Sequence, residues 1–431
     1  MISLLNVLLI LLIIAIAAQI CGRLFAYLGQ PVVIGEIISG IILGPSLFGK
    51  LFPELSHAIL PPNAIQFIGP FAQVGIIFYM FVVGLEVDLK SLKSGGRAIV
   101  AIAYGGIVIP FLLGIALALL LFKHVGDPSK DMKSFSLFFG MSLSITAFPV
   151  LARILEDTKL TQTYVGKIAI ACAAVGDATA WCMLAAIVSI VKSEGHVFVP
   201  LLLTFLFTII MFTAVRWLFD KFYKWHDRTK NSNENALPIL LAGAMISAVA
   251  TESFGIHAIF GAFIFGLILP HDSKLTVFTT ERVQGILKVL FVPAFFAYTG
   301  LRTEISLVSG VEDWMICALI ILTATAGKFG GSSLIARALG FKWREAGAIG
   351  SLMNSRGLVE LIVLNVGLDL GIISPRLFTI LVFMAVITTF MTTPITLWIL
   401  GRGAFTLKSS GNADAWKNTS VHESLSGRIN P

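Results

Sequence analysis

Long apolar segments alternate with short polar ones from one end of the chain to the other. Thirteen such segments can be counted, and most approach the roughly 20 residues that a helix needs to cross the hydrocarbon core of a bilayer. They cover residues 2–21, 32–48, 65–87, 98–122, 135–156, 164–191, 197–219, 236–254, 257–270, 283–301, 314–338, 346–368 and 377–400. The pattern predicts an all-α polytopic membrane protein with 13 transmembrane helices.

The short segment at residues 257–270 could instead continue the segment before it, and the basic residues discriminate between the two cases. With two separate spans, 22 Lys and Arg residues lie on the side of the C-terminus and 7 lie on the opposite side. With one merged span the numbers become 14 and 15. Because Lys and Arg accumulate in cytoplasmic loops, the sequence favours two spans, an N-terminus outside the cell and a cytoplasmic C-terminus.

The composition supports a membrane protein and excludes other classes. Hydrophobic residues make up 57% of the chain and charged residues 13%, about half the charged share of a soluble domain. The net charge of +7 comes from loops between apolar segments, so nucleic acid is not an expected partner. The four cysteines have no metal-type spacing, and the sequence contains no motif of an enzyme or of a cofactor site. We expect neither catalysis nor a cofactor.

Three segments in the first half of the chain have counterparts in the second half, in the same order. The pairs are Gly35–Leu43 with Gly261–Leu269, Gly84–Leu89 with Gly300–Ile305, and Gly140–Leu151 with Gly350–Leu361. The members of each pair lie seven spans apart, and because seven is odd, they must have opposite orientations in the membrane. This order predicts inverted repeats, as in many transporters. The alternative is chance resemblance between Gly-rich helices, which favour small residues for packing.

Two ionisable residues lie deep inside apolar segments, where burial of a charge is costly and usually marks an ion pathway or a buried ion pair. Asp177 lies near the middle of segment 164–191, and Lys328 lies in the second half of segment 314–338. We expect Asp177 to bind a cation or a proton, with Lys328 as its charge partner. The alternative is a purely structural ion pair.

Two segments at matching repeat positions contain polar and helix-breaking residues. Pro149 lacks a backbone donor and disfavours helix before it, so we expect Thr146–Phe148 to unwind and to offer oxygen atoms to a monovalent cation. Broken helices at corresponding positions of two repeats point to an ion site at the membrane midplane. Arg356 and Glu360 are expected to pair at i and i+4 as helix support. The alternative for Pro149 is a simple kink. The predicted site residues here are Ser144, Thr146, Pro149, Asn354, Ser355, Arg356, Gly357 and Glu360.

Five segments resemble the monovalent cation:proton antiporters, especially their second branch, with bacterial Na+(K+)/H+ antiporters, plant cation/proton exchangers and potassium-efflux relatives. They are GQPVVIGE at 29–36, FVVGLE at 81–86, SITAFPVLAR at 144–153, HAIFGAF at 257–263 and MNSRGLVEL at 353–361. The resemblance implies two inverted six-helix repeats with broken crossing helices, a homodimer and alternating access. It also implies that Asp177 is the ion-binding aspartate and Lys328 the basic residue facing it. The family usually has Asp or Asn before this aspartate, whereas this chain has Gly176.

The same resemblance implies a division of the chain. Residues 1–97 and 236–311 are expected to form a dimerisation domain, and residues 98–192 and 312–402 a core that transports the ion. Residues 193–235 would be a linking span with a basic cytoplasmic loop. Residues 403–431 are polar and are expected to form a disordered cytoplasmic tail.

These observations predict a transporter in the inner cell membrane that exchanges Na+ or K+ for H+. Cation and proton would compete for Asp177, and the single central carboxylate predicts exchange of one cation for one proton. Two alternatives remain open: a potassium-efflux protein that acts like a channel, and a Na+-coupled organic-anion symporter of the same architecture. Oxygen ligands alone do not distinguish sodium from potassium.

Overall fold

The structure is a computed structural model, and it describes residues 4–86, 96–126, 131–192, 198–229, 233–253, 257–271 and 273–401. All regular secondary structure in these ranges is helical. The predicted tail at 403–431 and parts of the predicted loop at 193–235 lie outside the described residues, as does the end of the repeat segment Gly84–Leu89.

The helices of the first half are α1 Leu4–Tyr27, α2 Val32–Leu43, α3 Phe48–Leu51, α4 Pro53–Ile59, α5 Pro62–Glu86, α6 Gly96–Val125, α7 Met132–Ser144, α8 Phe148–Asp157, α9 Tyr164–Lys192, α10 Phe198–Ile210 and α11 Arg216–Thr229. Those of the second half are α12 Asn233–Ser253, α13 Ala258–Ile268, α14 Lys274–Ile286, α15 Val292–Leu301, α16 Gly310–Thr325, α17 Gly331–Ala338, α18 Trp343–Met353, α19 Leu358–Asp369 and α20 Pro375–Leu400. Single π-helical turns, at Met211–Val215, Leu287–Phe291 and Ala326–Gly330, connect α10 to α11, α14 to α15 and α16 to α17.

The described helices confirm a polytopic all-helical membrane protein. Eleven helical stretches are long and apolar enough to cross a membrane, and the bent pair α18–α19 raises the number to twelve. The remaining predicted segment forms α13, which has 11 residues, so the count of thirteen spans stays a prediction. Helix α13 does not continue α12 but packs beside it, with Ser247 Oγ donating to the carbonyl oxygen of Gly261 at 2.7 Å.

The predicted end of the seventh span was wrong. The apolar segment was expected to end at residue 219, but the helix continues through the π turn and α11 to Thr229. The apolar segment ends before Asp220 and Lys221. The backbone hydrogen bonds of the helix continue through these charged residues. In α11 the basic side chains lie on the helix surface, and Lys221 Nζ lies 3.7 Å from the centre of the Trp217 ring.

Side chains cap several helix starts, where the first backbone N–H groups have no partner within the helix. Asp131 accepts hydrogen bonds from the backbone of Lys133 and Ser134 at the start of α7. These bonds, the Ser134 one foremost, lower the pKa of the Asp131 carboxyl group. Ser273 and Ser374 cap α14 and α20 in the same way.

Most helix contacts fall within two groups. The first helix group comprises α1–α5 and α12–α15, and the second helix group comprises α6–α9 and α16–α20. The π turn of the seventh span touches α13, and α10 touches α9, so this span lies between the groups. Each of the two predicted repeats contributes helices to both groups.

Contacts near the ends of the helices lie on two opposite faces of the protein. On one face, Ser46 Oγ donates to the carbonyl oxygen of Thr303 at 2.8 Å, and Arg376 donates to the carbonyl oxygen of His124 at 3.2 Å. On the other, Arg344 donates to the carbonyl oxygen of Ile399 at 2.8 Å. The distribution of basic residues predicts that the first is external and the second cytoplasmic. We call them the predicted external face and the predicted cytoplasmic face.

At two places in the first helix group, a helix of one predicted repeat crosses a helix of the other at a glycine residue. We call these places the glycine crossings. A Cβ atom at Gly40 of α2 would lie 2.2 Å from the carbonyl oxygen of Ala297, and one at Gly300 of α15 would lie 2.4 Å from that of Ile37. A Cβ atom at Gly84 of α5 would lie 2.3 Å from the carbonyl oxygen of Phe263.

The crossing of α5 with α13 is the counterpart, at the predicted repeat positions, of the crossing of α2 with α15. A Cβ atom at Gly266 of α13 would lie 2.1 Å from the carbonyl oxygen of Phe81. The offsets 266 − 40 = 226 and 300 − 84 = 216 are those of the repeat pairs in the sequence. Each crossing therefore pairs a helix of one predicted repeat with a helix of the other, and both crossings depend on residues without a side chain.

Replacing Gly300 by Ala should destabilise the protein, because the added methyl group meets the backbone of α2 and overpacking of this kind costs about 1–3 kcal/mol. The matched control is Gly285→Ala in α14, where a Cβ atom meets nothing within 4 Å. There the substitution should stabilise the helix by about 0.5–1 kcal/mol. Thermal unfolding of the purified protein in detergent measures both shifts, and shifts of the same sign would contradict the close crossing.

Candidate functional site

The first helix break lies between α7 and α8, at Ile145–Ala147. It begins one residue earlier than the predicted Thr146–Phe148, and Phe148 is already the first residue of α8. Pro149 lies in the first turn of α8, where its missing N–H would have had no intrahelical partner. The proline therefore starts the second half-helix rather than unwinding the residue before it.

The second break separates α18 from α19 and comprises Asn354–Gly357, with a bend of 42° between the two half-helices. Gly357 is required here by space. A Cβ atom at this position would lie 2.4 Å from Cγ2 of Val150 and 3.4 Å from Cβ of Ala147. The two breaks therefore lie against each other.

Hydrogen bonds connect the breaks directly. The backbone N–H of Ala147 donates to the carbonyl oxygen of Ser355 at 3.2 Å. Thr146 Oγ1 donates to the carbonyl oxygen of Met353, the last residue of α18, at 3.3 Å. The ends of four half-helices thus meet at one point, and Asn354, Ser355 and Thr146 are buried there.

Two cationic side chains bind the C-terminal end of α7, where backbone carbonyls lack intrahelical donors and the helix dipole is negative. Arg356 donates to the carbonyl oxygens of Ser142 and Leu143, both at 2.6 Å. Lys328 Nζ donates to the carbonyl oxygen of Ser144. Both side chains are fully buried. Lys328 lies in the π turn between α16 and α17, which brings its side chain towards the break.

Asp177 of α9 lies at the other side of the same break. Its Oδ1 atom accepts a long hydrogen bond of 3.5 Å from the backbone N–H of Phe148, at the N-terminal end of α8. The positive end of a helix dipole favours a carboxylate. Asp177 is 1% exposed, and its Oδ2 atom has no hydrogen-bond partner among the described residues.

Lys328 and Asp177 do not form a direct ion pair within the described part of the chain. The sequence predicted that the two would face each other, but it could not show which backbone groups would compete for the ammonium. The unpaired carbonyl oxygen at the end of α7 binds Lys328 instead. The two charges lie at opposite ends of the break at Ile145–Ala147, and the role of Lys328 as a charge partner stays a prediction.

The predicted pair of Arg356 and Glu360 is present, with 2.7 Å between Arg356 Nη1 and Glu360 Oε2 and both side chains fully buried. Sequence reasoning missed Thr389 of α20, which accepts from the backbone N–H of Arg356 at 2.9 Å and donates to its carbonyl oxygen at 2.8 Å. A signal was available, because one buried face of α20 is rich in threonine: Thr388, Thr389, Thr392, Thr393 and Thr396.

Several buried oxygen atoms at the breaks have no hydrogen-bond partner among the described residues. They are Asp177 Oδ2, Asn354 Oδ1 and Ser355 Oγ. Gly176, next to Asp177, adds open space, because a Cβ atom there would meet nothing within 4 Å. In the described residues no cluster of three or more His, Cys, Asp or Glu side chains could hold a metal ion. The breaks therefore bring together one carboxylate oxygen and two neutral oxygen atoms that have no partner among the described residues.

This fold and site define a multi-pass membrane protein with a buried carboxylate between two broken helices. A family model described as the transmembrane part of sodium/hydrogen exchangers matches residues 8–400. The chain belongs to the sodium/hydrogen exchanger family, and the resemblance inferred from its five segments is confirmed.

Relatives from three kingdoms match over most of this chain. The Na(+)/H(+) antiporter NhaS4 of Synechocystis is 41% identical over 381 residues, which cover 88% of this chain and 93% of that protein. The Cation/H(+) antiporter 17 of Arabidopsis thaliana is 38% identical over 415 residues, which cover 95% of this chain and 50% of that protein. The K(+)/H(+) antiporter 1 of Saccharomyces cerevisiae is 37% identical over 384 residues, which cover 86% and 44%. The chain spans about half the length of these plant and yeast relatives.

The fold is similar to that of a solved structure, the sodium proton antiporter MjNhaP1 from Methanocaldococcus jannaschii. The TM-score is 0.68 at 16% sequence identity, and the match covers 94% of this chain and 99% of the other. The likeness shows the fold, and the named relatives are antiporters rather than enzymes.

Breaking the buried pair should be far more costly than breaking an exposed one. Glu360→Gln leaves the Arg356 charge without its carboxylate, which is expected to cost about 3–5 kcal/mol for a buried pair. The control is Asp157→Asn, which removes the exposed i,i+4 pair with Arg153 and should cost at most about 0.5 kcal/mol. Thermal unfolding in detergent compares the two, and equal shifts would show that the buried pair does not support the breaks.

Proposed function

We propose that this protein is a secondary active transporter that exchanges a monovalent cation, sodium or potassium, for a proton. The observation that carries the proposal is the position of Asp177, a buried carboxylate at the start of α8 with one oxygen atom unpartnered among the described residues. A carboxylate in this setting can bind either a cation or a proton, but not both. The names of the relatives, which include Na(+)/H(+), cation/H(+) and K(+)/H(+) antiporters, support the same class of activity.

Cation and proton compete for Asp177 in this proposal. The ionised carboxylate binds a cation that has lost its water, and protonation removes the charge that holds the cation. Further ligands come from the breaks: Asn354 Oδ1 and Ser355 Oγ are unpartnered, and Thr146 Oγ1 is a donor in its bond to Met353, so its lone pairs can still accept. The Ser144 carbonyl oxygen is a weaker candidate because Lys328 already binds it.

Lys328 and Arg356 act as supports in this mechanism. They neutralise the carbonyl end of α7, and they leave the free oxygen of Asp177 to the cation. Among the described residues, Asp177 is the carboxylate that accepts a hydrogen bond at the break between α7 and α8, and we therefore propose that one cation is exchanged for one proton without net charge movement.

Alternating access would come from movement of the second helix group against the first. We further propose that the first helix group forms the contact in a homodimer, that α13 is the thirteenth span, and that the protein lies in the inner membrane of a cell with its C-terminus in the cytoplasm. The matched glycine crossings and the distribution of Lys and Arg support this arrangement. Domain limits at residues 97, 192, 235, 311 and 402 belong to the same proposal.

Asp177→Asn should abolish exchange, because asparagine keeps the shape of the side chain but can neither ionise nor release a proton. The experiment is proton flux in proteoliposomes with a pH gradient, after addition of sodium or of potassium. We expect flux in the wild type and none above empty liposomes in Asp177→Asn. The control, Asp157→Asn, removes an exposed carboxylate and should retain exchange.

Results that contradict the proposal would point to one of the two alternative functions. If Asp177→Asn moved protons as the wild type does, Asp177 would be structural, and the organic-anion symporter would become the function to test next. Cation currents that persist without a pH gradient would instead support a channel.

Gly176→Asp tests the stoichiometry, because open space at this position admits a second carboxylate beside the first. In the wild type, the ion gradients at which exchange reverses direction should be the same at every membrane potential. The variant should acquire voltage dependence if both carboxylates titrate during the cycle. Proton flux measured in proteoliposomes at imposed membrane potentials gives the answer, and a voltage-dependent wild type would contradict exchange of one for one.

A further inference from the structure

A cluster of polar contacts joins the two helix groups on the predicted external face. Arg302, at the end of α15 in the first helix group, donates to Asp369 at 2.6 Å and to Asn365 at 2.9 Å, both in α19 of the second helix group. The Arg302 side chain is 20% exposed and that of Asp369 is 45% exposed. A charged hydrogen bond and a neutral one therefore cross the boundary together.

Asn365 also reaches back into the first helix group. Its Nδ2 atom donates to Thr299 Oγ1 at 2.9 Å and to the carbonyl oxygen of Leu361 at 2.8 Å. Thr299 is fully buried, and Asn365 is 6% exposed. The cluster is thus anchored beneath the surface and is more than an exposed ion pair, which alone would contribute little.

A cavity of about 380 Å³ lies at the same boundary. Residues of both helix groups line it, among them Gln73 and Glu252 of the first group and Val188, Val366 and Asp369 of the second. Asp369 therefore belongs both to the cluster and to the cavity wall. The ion pair of Arg302 with Asp369 therefore lies at the wall of this cavity, and Val366 is a buried part of the same wall.

The matching position of the first repeat behaves differently. Glu86 corresponds to Arg302, since 302 − 216 = 86 at the repeat offset. Glu86 accepts a hydrogen bond from Gln284 of α14, which lies in its own helix group. Among the described residues, Arg302 therefore contacts the second helix group on the predicted external face, whereas its counterpart Glu86 contacts Gln284 of its own group.

We propose that Arg302, through Asp369 and Asn365, is a positioning residue that holds the predicted external side closed during exchange. The proposal rests on the alternating-access function above. The contacts join two groups that must move apart for the external side to open, so they stabilise one state and not the other. Their loss shifts the balance towards the externally open state.

The test measures external access separately from transport. The four native cysteines, Cys21, Cys172, Cys182 and Cys317, are replaced by alanine, and Val366→Cys is introduced as a reporter, because Val366 lines the cavity and is only 6% exposed. A membrane-impermeant maleimide is added to intact cells. We expect Arg302→Ala to raise the labelling rate roughly two- to tenfold, in proportion to the open population.

Matched variants separate the proposed role of Arg302 from a general loss of structure. Arg282→Ala removes an ion pair of 3.7 Å with Glu234, both within the first helix group, and should leave labelling unchanged. Asp369→Asn should raise it as Arg302→Ala does while keeping the shape of the side chain. The double variant Arg302→Asp with Asp369→Arg should return labelling towards the parent value. Each protein is first shown to be monodisperse by size exclusion.

The outcomes distinguish this proposal from the proposed function. If Arg302→Ala and Asp369→Asn leave labelling unchanged while cation/proton exchange continues, the proposed role of Arg302 is refuted and the proposed antiport function stands. If the parent protein shows no exchange in proteoliposomes, the proposed function fails whatever the labelling shows. Equal increases in Arg282→Ala and Arg302→Ala would also refute a specific role of Arg302.

Discussion

The two helix breaks leave backbone groups unpaired in an apolar interior, and the rest of the site depends on how those groups are satisfied. An unpaired backbone group inside a membrane costs several kcal/mol. In this protein the C-terminal carbonyls of α7 bind Arg356 and Lys328, and the first N–H of α8 reaches Asp177. The charged residues of the site are therefore placed by the polarity of the half-helices.

This placement leaves one carboxylate oxygen of Asp177 without a partner among the described residues, whereas a direct ion pair with Lys328 would occupy it. A cation entering a tight pair of Asp177 and Lys328 would have to displace an ammonium group. Here the ammonium is bound to a carbonyl oxygen instead, and one oxygen of Asp177 is unpartnered among the described residues. The same burial that makes the site costly thus leaves its central carboxylate available.

Sequence patterns predicted the helices and the identity of the central residues because both follow from the cost of polar groups in lipid. Asp177 and Lys328 stood out as ionisable residues in apolar segments, and Arg356 with Glu360 stood out by their i,i+4 spacing. The partners of these residues were not predictable. Lys328 binds a carbonyl 184 residues away in sequence, and Arg356 is held by Thr389 across 33 residues. Hydropathy carries no information about such contacts.

The extent of the helices was also limited by what hydropathy measures. The helix of the seventh predicted span continues past residue 219 to Thr229, because charged side chains on a helix surface do not interrupt backbone hydrogen bonds. The end of the break at Ala147 rather than Phe148 follows from Pro149, whose position in the first turn of a helix is favourable. In both cases local backbone geometry decided a boundary that side-chain polarity could only approximate.

The organisation of the helices fits the alternating access proposed above. The residues of the site all lie in the second helix group, so their mutual contacts would persist in the proposed movement of that group as a body: Asp177, Lys328, Arg356, Glu360 and Thr389. Direct polar links to the first helix group are found elsewhere, at Arg302 and Thr299 on the predicted external face. Ion binding and the change of access are therefore assigned to different contacts, and either can be altered without dismantling the other.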